Sequence, residues 1–153
     1  MGLLTPIPQS VMDSISSYIN NGATSNVVSY TPTWTGTGLV CPQGAVTGSY
    51  VRIGKLVHFT INVNCQPVSN FGTGQYSVTL PFTPSVQYVF RDGQVFNGLI
   101  NQHYRILAEG IEGTSTMLLW YGGTTNDLAF KYNTPTSLND ECTWYVSGTY
   151  ICV

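Results

Sequence analysis

Hydrophobic and polar residues alternate along most of this chain. From 56 to 64, Val57, Phe59, Ile61 and Val63 alternate with Leu56, His58, Thr60, Asn62 and Asn64. A period of two belongs to a half-buried strand, here with its odd-numbered side on a core. Residues 45–53 form a similar run, and the tight turn between the two falls at Arg52-Ile53-Gly54-Lys55. In the last run, 142–153, Trp144, Val146, Gly148 and Tyr150 share one side, while Tyr145, Ser147, Thr149 and Ile151 share the other. Further runs cover 75–82, 86–90, 94–100, 103–109, 115–121 and 128–132. Asp92-Gly93 reads as a two-residue hairpin turn joining 86–90 to 94–100. Glu109-Gly110, Glu112-Gly113 and Gly122-Gly123 punctuate the rest. No helical pattern alternates with the strands, which argues against a parallel α/β fold. The pattern predicts an all-β fold, an antiparallel jelly-roll-like β-sandwich of about eight strands.

The first 29 residues differ. Thr5-Pro6-Ile7-Pro8 must be extended. Ser10 sits where an N-cap belongs, with Asp13 three residues on, and Val11, Ile15 and Tyr18 then follow at spacings of four and three, flanked by Met12 and Ile19. Asn20-Asn21-Gly22 is a helix stop, so residues 11–20 are expected to form a short amphipathic helix. Such a helix is too short to hold alone in water and needs a surface to pack on. The polar stretch 20–26 reads as a linker. The expected division is an arm with helix and linker over 1–29 and a β-sandwich domain over 30–153.

Composition sharpens this picture. Charged residues make up 8% of the 153 residues, and the formal net charge is −2, where an average domain carries roughly 25% charged residues. Thr, Ser, Asn and Gln fill the polar positions instead. Five Lys and Arg give no footprint for nucleic acid. No apolar run reaches the ~18 residues of a membrane span, and the start of the chain has neither the basic region nor the apolar core of a secretion signal.

Candidate chemistry is sparse. The four cysteines, at 41, 65, 142 and 152, show no C-x-x-C spacing for zinc. The turn at 52–55 would set Cys41 across the ladder from Cys65, making them the candidate disulfide. His58 and His103 read as strand residues. Glu109 with Glu112, and Asp140 with Glu141, are the carboxylate pairs a glycosidase would need. No nucleophile–base motif accompanies them, so no catalytic, cofactor or metal site is expected. Tyr76, Tyr88, Tyr104, Tyr121, Tyr132 and Tyr145, with Trp34 and Trp120, are too many to all point inward. Aromatics among neutral polar residues suit sugar faces and protein interfaces, and Tyr88, Trp120, Tyr121 and Tyr132 are the candidate glycan or partner contacts.

Three motifs then stand in order: Tyr30-Thr31-Pro32-Thr33-Trp34, Gly48-Ser49-Tyr50-Val51-Arg52-Ile53-Gly54-Lys55, and Ser147-Gly148-Thr149-Tyr150. Over about 30–152 they resemble a β-sandwich module of virion surface proteins in tailed bacteriophages, found in head decoration and head-fibre proteins and at the ends of minor tail proteins and fibres. The resemblance implies a non-enzymatic structural role on the virion surface, a protein made in the host cytoplasm, and a homotrimer. Partners would be phage capsid or tail proteins and, in the adhesin alternative, a host surface glycan. Taken as a complete chain it has no fibre shaft. Residues 1–29, through Ile7, Val11, Met12, Ile15, Tyr18 and Ile19, are then expected to anchor it to a particle. The leading expectation is a capsid decoration or head-fibre protein; the alternative is a tail-tip or tail-fibre receptor-binding protein.

Overall fold

The computed structural model describes residues 8–13, 23–122 and 127–153. Ten strands follow in chain order: β1 (Ala23–Tyr30), β2 (Trp34–Thr37), β3 (Val46–Ile53), β4 (Leu56–Asn64), β5 (Thr73–Thr79), β6 (Tyr88–Asn97), β7 (Gln102–Gly110), β8 (Thr116–Gly122), β9 (Asp127–Ala129) and β10 (Cys142–Ile151). They form one antiparallel sheet in the order β1-β3-β4-β10-β6-β7-β8-β5-β2, with β9 paired to β8. The predicted all-β sandwich is therefore present. Its first two strands were not legible, because residues 23–26 look like a polar linker and the expected boundary at 29/30 falls inside β1. Residues 9–13 are helical; the remainder of the helix expected over 11–20 lies outside the described residues.

The sheet folds into two layers at β6. Beyond Asp92, β10 pairs only with 92–97 of β6, while β7 follows both halves of it, with an irregularity between Phe90 and Gly93. Irregularities of this kind let a strand pass from one layer to the other. Asp92-Gly93 is thus no hairpin turn, and 86–90 and 94–100 are not separate strands. The glycine serves close packing instead: a Cβ at Gly93 would lie 2.8 Å from Ile106 Cγ1 and 2.9 Å from its carbonyl oxygen. The other Gly turn is as read, with Ile53 paired to Leu56 across Gly54-Lys55 and Gly54 at φ 60°.

Aromatic rings fill the space between the layers. Trp34 on β2 meets Trp144 on β10 edge to face at 5.4 Å, and Tyr76 and Phe130 complete the group. Phe59 meets Phe90 at 4.9 Å. Gly148 faces the same core and leaves the space that the Phe90 ring occupies. Val57, Phe59, Ile61 and Val63 are all buried, as their alternation predicted. Among the described residues the indole N–H groups of Trp34 and Trp144 have no hydrogen-bond partner; both rings pack against other aromatic rings, where a weak N–H···π contact can partly replace an oxygen acceptor. Tyr150 closes one end, its hydroxyl donating to the Phe82 carbonyl at 2.8 Å and accepting from the Phe82 N–H at 3.1 Å. Buried Asn97 ties down the loop before β10, donating to Thr136 Oγ1 at 2.9 Å.

Candidate functional site

A strand sends alternate side chains to opposite faces, so the aromatic interior dictates what the outer faces can carry. On the outer face of the first layer the register aligns side chains into rows. One row runs Thr47, Asn62, Tyr145, Gln94 and Arg105 across β3, β4, β10, β6 and β7. The row beside it runs Asn64, Thr143, Phe96 and His103, in which the Phe96 and His103 rings lie 4.6 Å apart. On the other side lie Ser49, Thr60, Ser147 and Asp92, and at the far end Ile53, Leu56 and Ile151.

The β3, β4 and β10 members of the first two rows border an open cleft of about 410 Å³ lined by Gly44, Ala45, Thr47, Asn62, Val63, Asn64, Thr143, Trp144 and Tyr145. Among the described residues, no Asp, Glu, Lys, Arg or His lines it. Tyr145 is 37% exposed. Among the described residues, no side-chain hydrogen bond engages Asn62, Gln94 or the Tyr145 hydroxyl. Charge sits at the margins. Arg105 donates to the Arg91 carbonyl at 3.3 Å, Asp92 accepts from the Ser147 hydroxyl at 2.6 Å, and His58 Nδ1 pairs with the Thr149 hydroxyl at 2.9 Å.

The outer face of the second layer is built around Glu109. Its Oε2 accepts from the Trp120 indole N–H at 3.0 Å and its Oε1 from the Gln87 amide. Val89, Leu107, Glu109 and Trp120 border a cavity of about 200 Å³. Here the polar atoms answer one another, and the buried Leu107 lies beneath.

The four predicted contact aromatics do not form one surface. Trp120 belongs to the Glu109 cluster, and Tyr121 lies half-buried next to it on β8, opposite Ile106. Tyr88 is half-buried, stacks on Phe90, and its hydroxyl accepts from the Ile151 N–H at 3.0 Å. Tyr132, 41% exposed, stacks on Phe71 in a loop. Tyr76 and Trp34, counted among the candidates for exposure, are buried. Sequence reasoning left Tyr145 out of its contact residues and passed over Asn62 and Gln94 beside it. Their signal was the polar half of an alternation, legible only once β10 was known to lie between β4 and β6.

All four cysteines carry free thiols, so the expected Cys41–Cys65 bridge is absent. The hairpin register pairs Val46 with Val63, which leaves Cys65 beyond the ladder; its N–H donates to the Cys142 carbonyl at 3.0 Å. Burial, followed by the neighbouring Cys142 and Cys41 thiols, pushes the Cys65 thiol well above its ordinary range. Glu112 and the Asp140-Glu141 pair are exposed in turns. No group of three or more His, Cys, Asp or Glu that could hold a metal occurs among the described residues. Of the expected anchoring residues, Val11 and Met12 are exposed on the helical turn, at 43% and 44%; Ile7, Ile15, Tyr18 and Ile19 lie outside the described residues.

No protein-family model matches the chain, and no curated protein matches it in sequence. In three dimensions it is similar to part of the Dettilon tailspike protein, known from a crystal structure, with a TM-score of 0.56 and 14% identity. The match covers 82% of this chain and 23% of the tailspike chain, so it spans under a quarter of that protein. At this identity the likeness concerns the fold.

Proposed function

We propose that this chain is a virion surface module of a tailed bacteriophage and that it meets the host cell through the outer face of its first layer. The observation that carries the reading is the charge-free cleft at Tyr145, set on a sandwich whose fold is similar to a segment of a tailspike. The three sequence motifs support the same assignment. In this reading the work is recognition rather than catalysis: Glu109 is held by Trp120 and Gln87, and no second carboxylate joins it among the described residues. A homotrimer would bury the apolar row Ile53, Leu56 and Ile151, each at least 38% exposed in the single chain. The test is saturable binding of fluorescently labelled protein to a panel of bacterial strains. Binding to one or a few strains is expected; binding to none sinks the reading.

A second reading, capsid decoration through residues 1–29, is favoured by one observation. The helical turn at 9–13 leaves Val11 and Met12 uncovered by the sandwich. Binding to phage particles that lack this protein, lost on deleting residues 1–22, would support decoration; undiminished binding of the deletion variant would remove it.

A further inference from the structure

We infer that the Tyr145 cleft binds an uncharged oligosaccharide lying across the strands of the first layer. The inference deepens the host-contact reading and rests on it. The cleft, about 410 Å³, has the size of an ordinary ligand site, and its chemistry narrows the occupant. An anionic ligand would call for Arg or Lys within the lining, and a cationic one for a carboxylate; the lining has neither. Arg105 stands at the end of the row, two strands from Tyr145, with its guanidinium bonded to a carbonyl.

What the cleft offers instead is the amide of Asn62, the NH₂ of Asn64, whose Oδ1 already accepts from the Gln66 N–H at 3.0 Å, the hydroxyls of Thr47 and Thr143, and the Tyr145 ring. Gln94 extends the amides to the other side of Tyr145. An amide donates from nitrogen and accepts at oxygen, which is what a sugar hydroxyl asks of a partner, because it too does both. Asn62 and Gln94 flank Tyr145 in register on the neighbouring strands, with no hydrogen bond of their own to break among the described residues. The partly exposed tyrosine ring supplies an apolar platform with a polar tip, suited to the C–H face of a pyranose. Phe96 lies diagonally from Tyr145, opposite Thr143, and gives a second ring on the same face. The cleft takes its side chains from β3, β4 and β10 and Gln94 on β6 continues the row, so at ~4.8 Å per step the uncharged part extends for roughly 14 Å. Such a length suits a chain of sugars better than one ring. Paired strands fix the backbone under every group, so the ordering cost of binding falls on the side chains alone.

The experiment titrates the full chain against three panels of immobilised oligosaccharides: uncharged hexose and deoxyhexose oligomers, uronic-acid oligomers and glucosamine oligomers. Saturable binding confined to the uncharged panel is expected. Tyr145→Ala should weaken it by about tenfold, Tyr145→Phe should retain most of it, and Asn62→Ala should weaken it several-fold. Trp120→Ala should leave it unchanged. The Tyr145→Ala variant is also checked for melting temperature and oligomeric state. Unchanged values assign its loss to the cleft, and a dissociated oligomer instead assigns this face to subunit packing and overturns the inference. It is equally overturned if no uncharged glycan binds, if a charged panel is preferred, or if affinity ignores Tyr145→Ala. Bacterial cells separate this from the broader reading. Periodate, which cleaves vicinal diols of sugars, should abolish cell binding. Cell binding removed by protease but not by periodate defeats the sugar inference and leaves host contact standing, whereas absence of cell binding defeats both.

Discussion

The two outer faces of the sandwich use similar residues to opposite ends. On the second layer, Trp120, Gln87 and Glu109 satisfy one another and shelter Leu107. On the first layer, Asn62, Gln94 and Tyr145 stand side by side with no such engagement among the described residues. An aromatic beside polar neighbours is therefore no guide to function by itself. What separates a stabilising cluster from a recognition surface is whether its hydrogen-bonding groups already answer each other. The first kind should register in stability and the second in binding.

Changes to the corner that both faces share give the upper limit for effects on stability. Gly93→Val puts carbon atoms against Ile106 where a Cβ alone would lie 2.8 Å from Cγ1. Loss of about 3 kcal/mol is expected, read as a lower urea midpoint, and both faces should fail together. Next comes Trp120→Ala, which uncovers Leu107 and takes one of two donors from Glu109. It should cost about 2 kcal/mol and leave cell binding as it was. If it abolishes binding at unchanged stability, the roles of the two faces are reversed.

Alkaline pH probes the interior between them. Burial raises the Cys65 thiol and the Tyr76 and Tyr150 hydroxyls above their ordinary values. In the unfolded chain the thiol ionises above about pH 8.5, while in the fold it stays protonated; the unfolded state then binds fewer protons, and stability falls as pH rises. Melting temperature should hold steady below about pH 8 and drop above it, with the tyrosines adding to the fall beyond about pH 10. Each such group accounts for up to ~1.4 kcal/mol per pH unit. A melting temperature that climbs above pH 9 would contradict the buried thiol. The smallest change is expected for Tyr145→Ala, within about 0.5 kcal/mol of the parent in urea unfolding, although it is the substitution expected to matter most for cell binding.

Much of the sandwich was legible because one-sided burial writes itself into the chain as alternation. In β4 every inward residue could be named in advance, and in β10 the two sides could be told apart but not which of them faces the core. Failures came where a residue served a distant neighbour. Gly93 looks like a turn residue locally, and only the approach of Ile106 from β7 reveals its use. β1 was hidden because an edge strand with polar residues at 24–26 carries little alternation, and β2 because its four residues are too few to show a period. The candidate site was barely legible. Tyr145 stood among the aromatics too many to all point inward but not among the four chosen contacts, and its partners come from β4 and β6, some 80 and 50 positions away in sequence, so no local pattern brings them together.

The position of β10 has a consequence for synthesis. This last strand lies between β4 and β6 and is hydrogen-bonded to both. Until residues 142–151 have left the ribosome, β4 and β6 have no common neighbour, the layer is split along its middle, and Trp34 lacks the Trp144 ring it packs against. Folding must therefore be completed after translation of this segment, with long-range pairing as the slow step. A chain that stops short of residue 142 cannot close the sheet, so the same strand that carries Tyr145 to the surface also ensures that only chains translated through β10 reach a folded state able to display it.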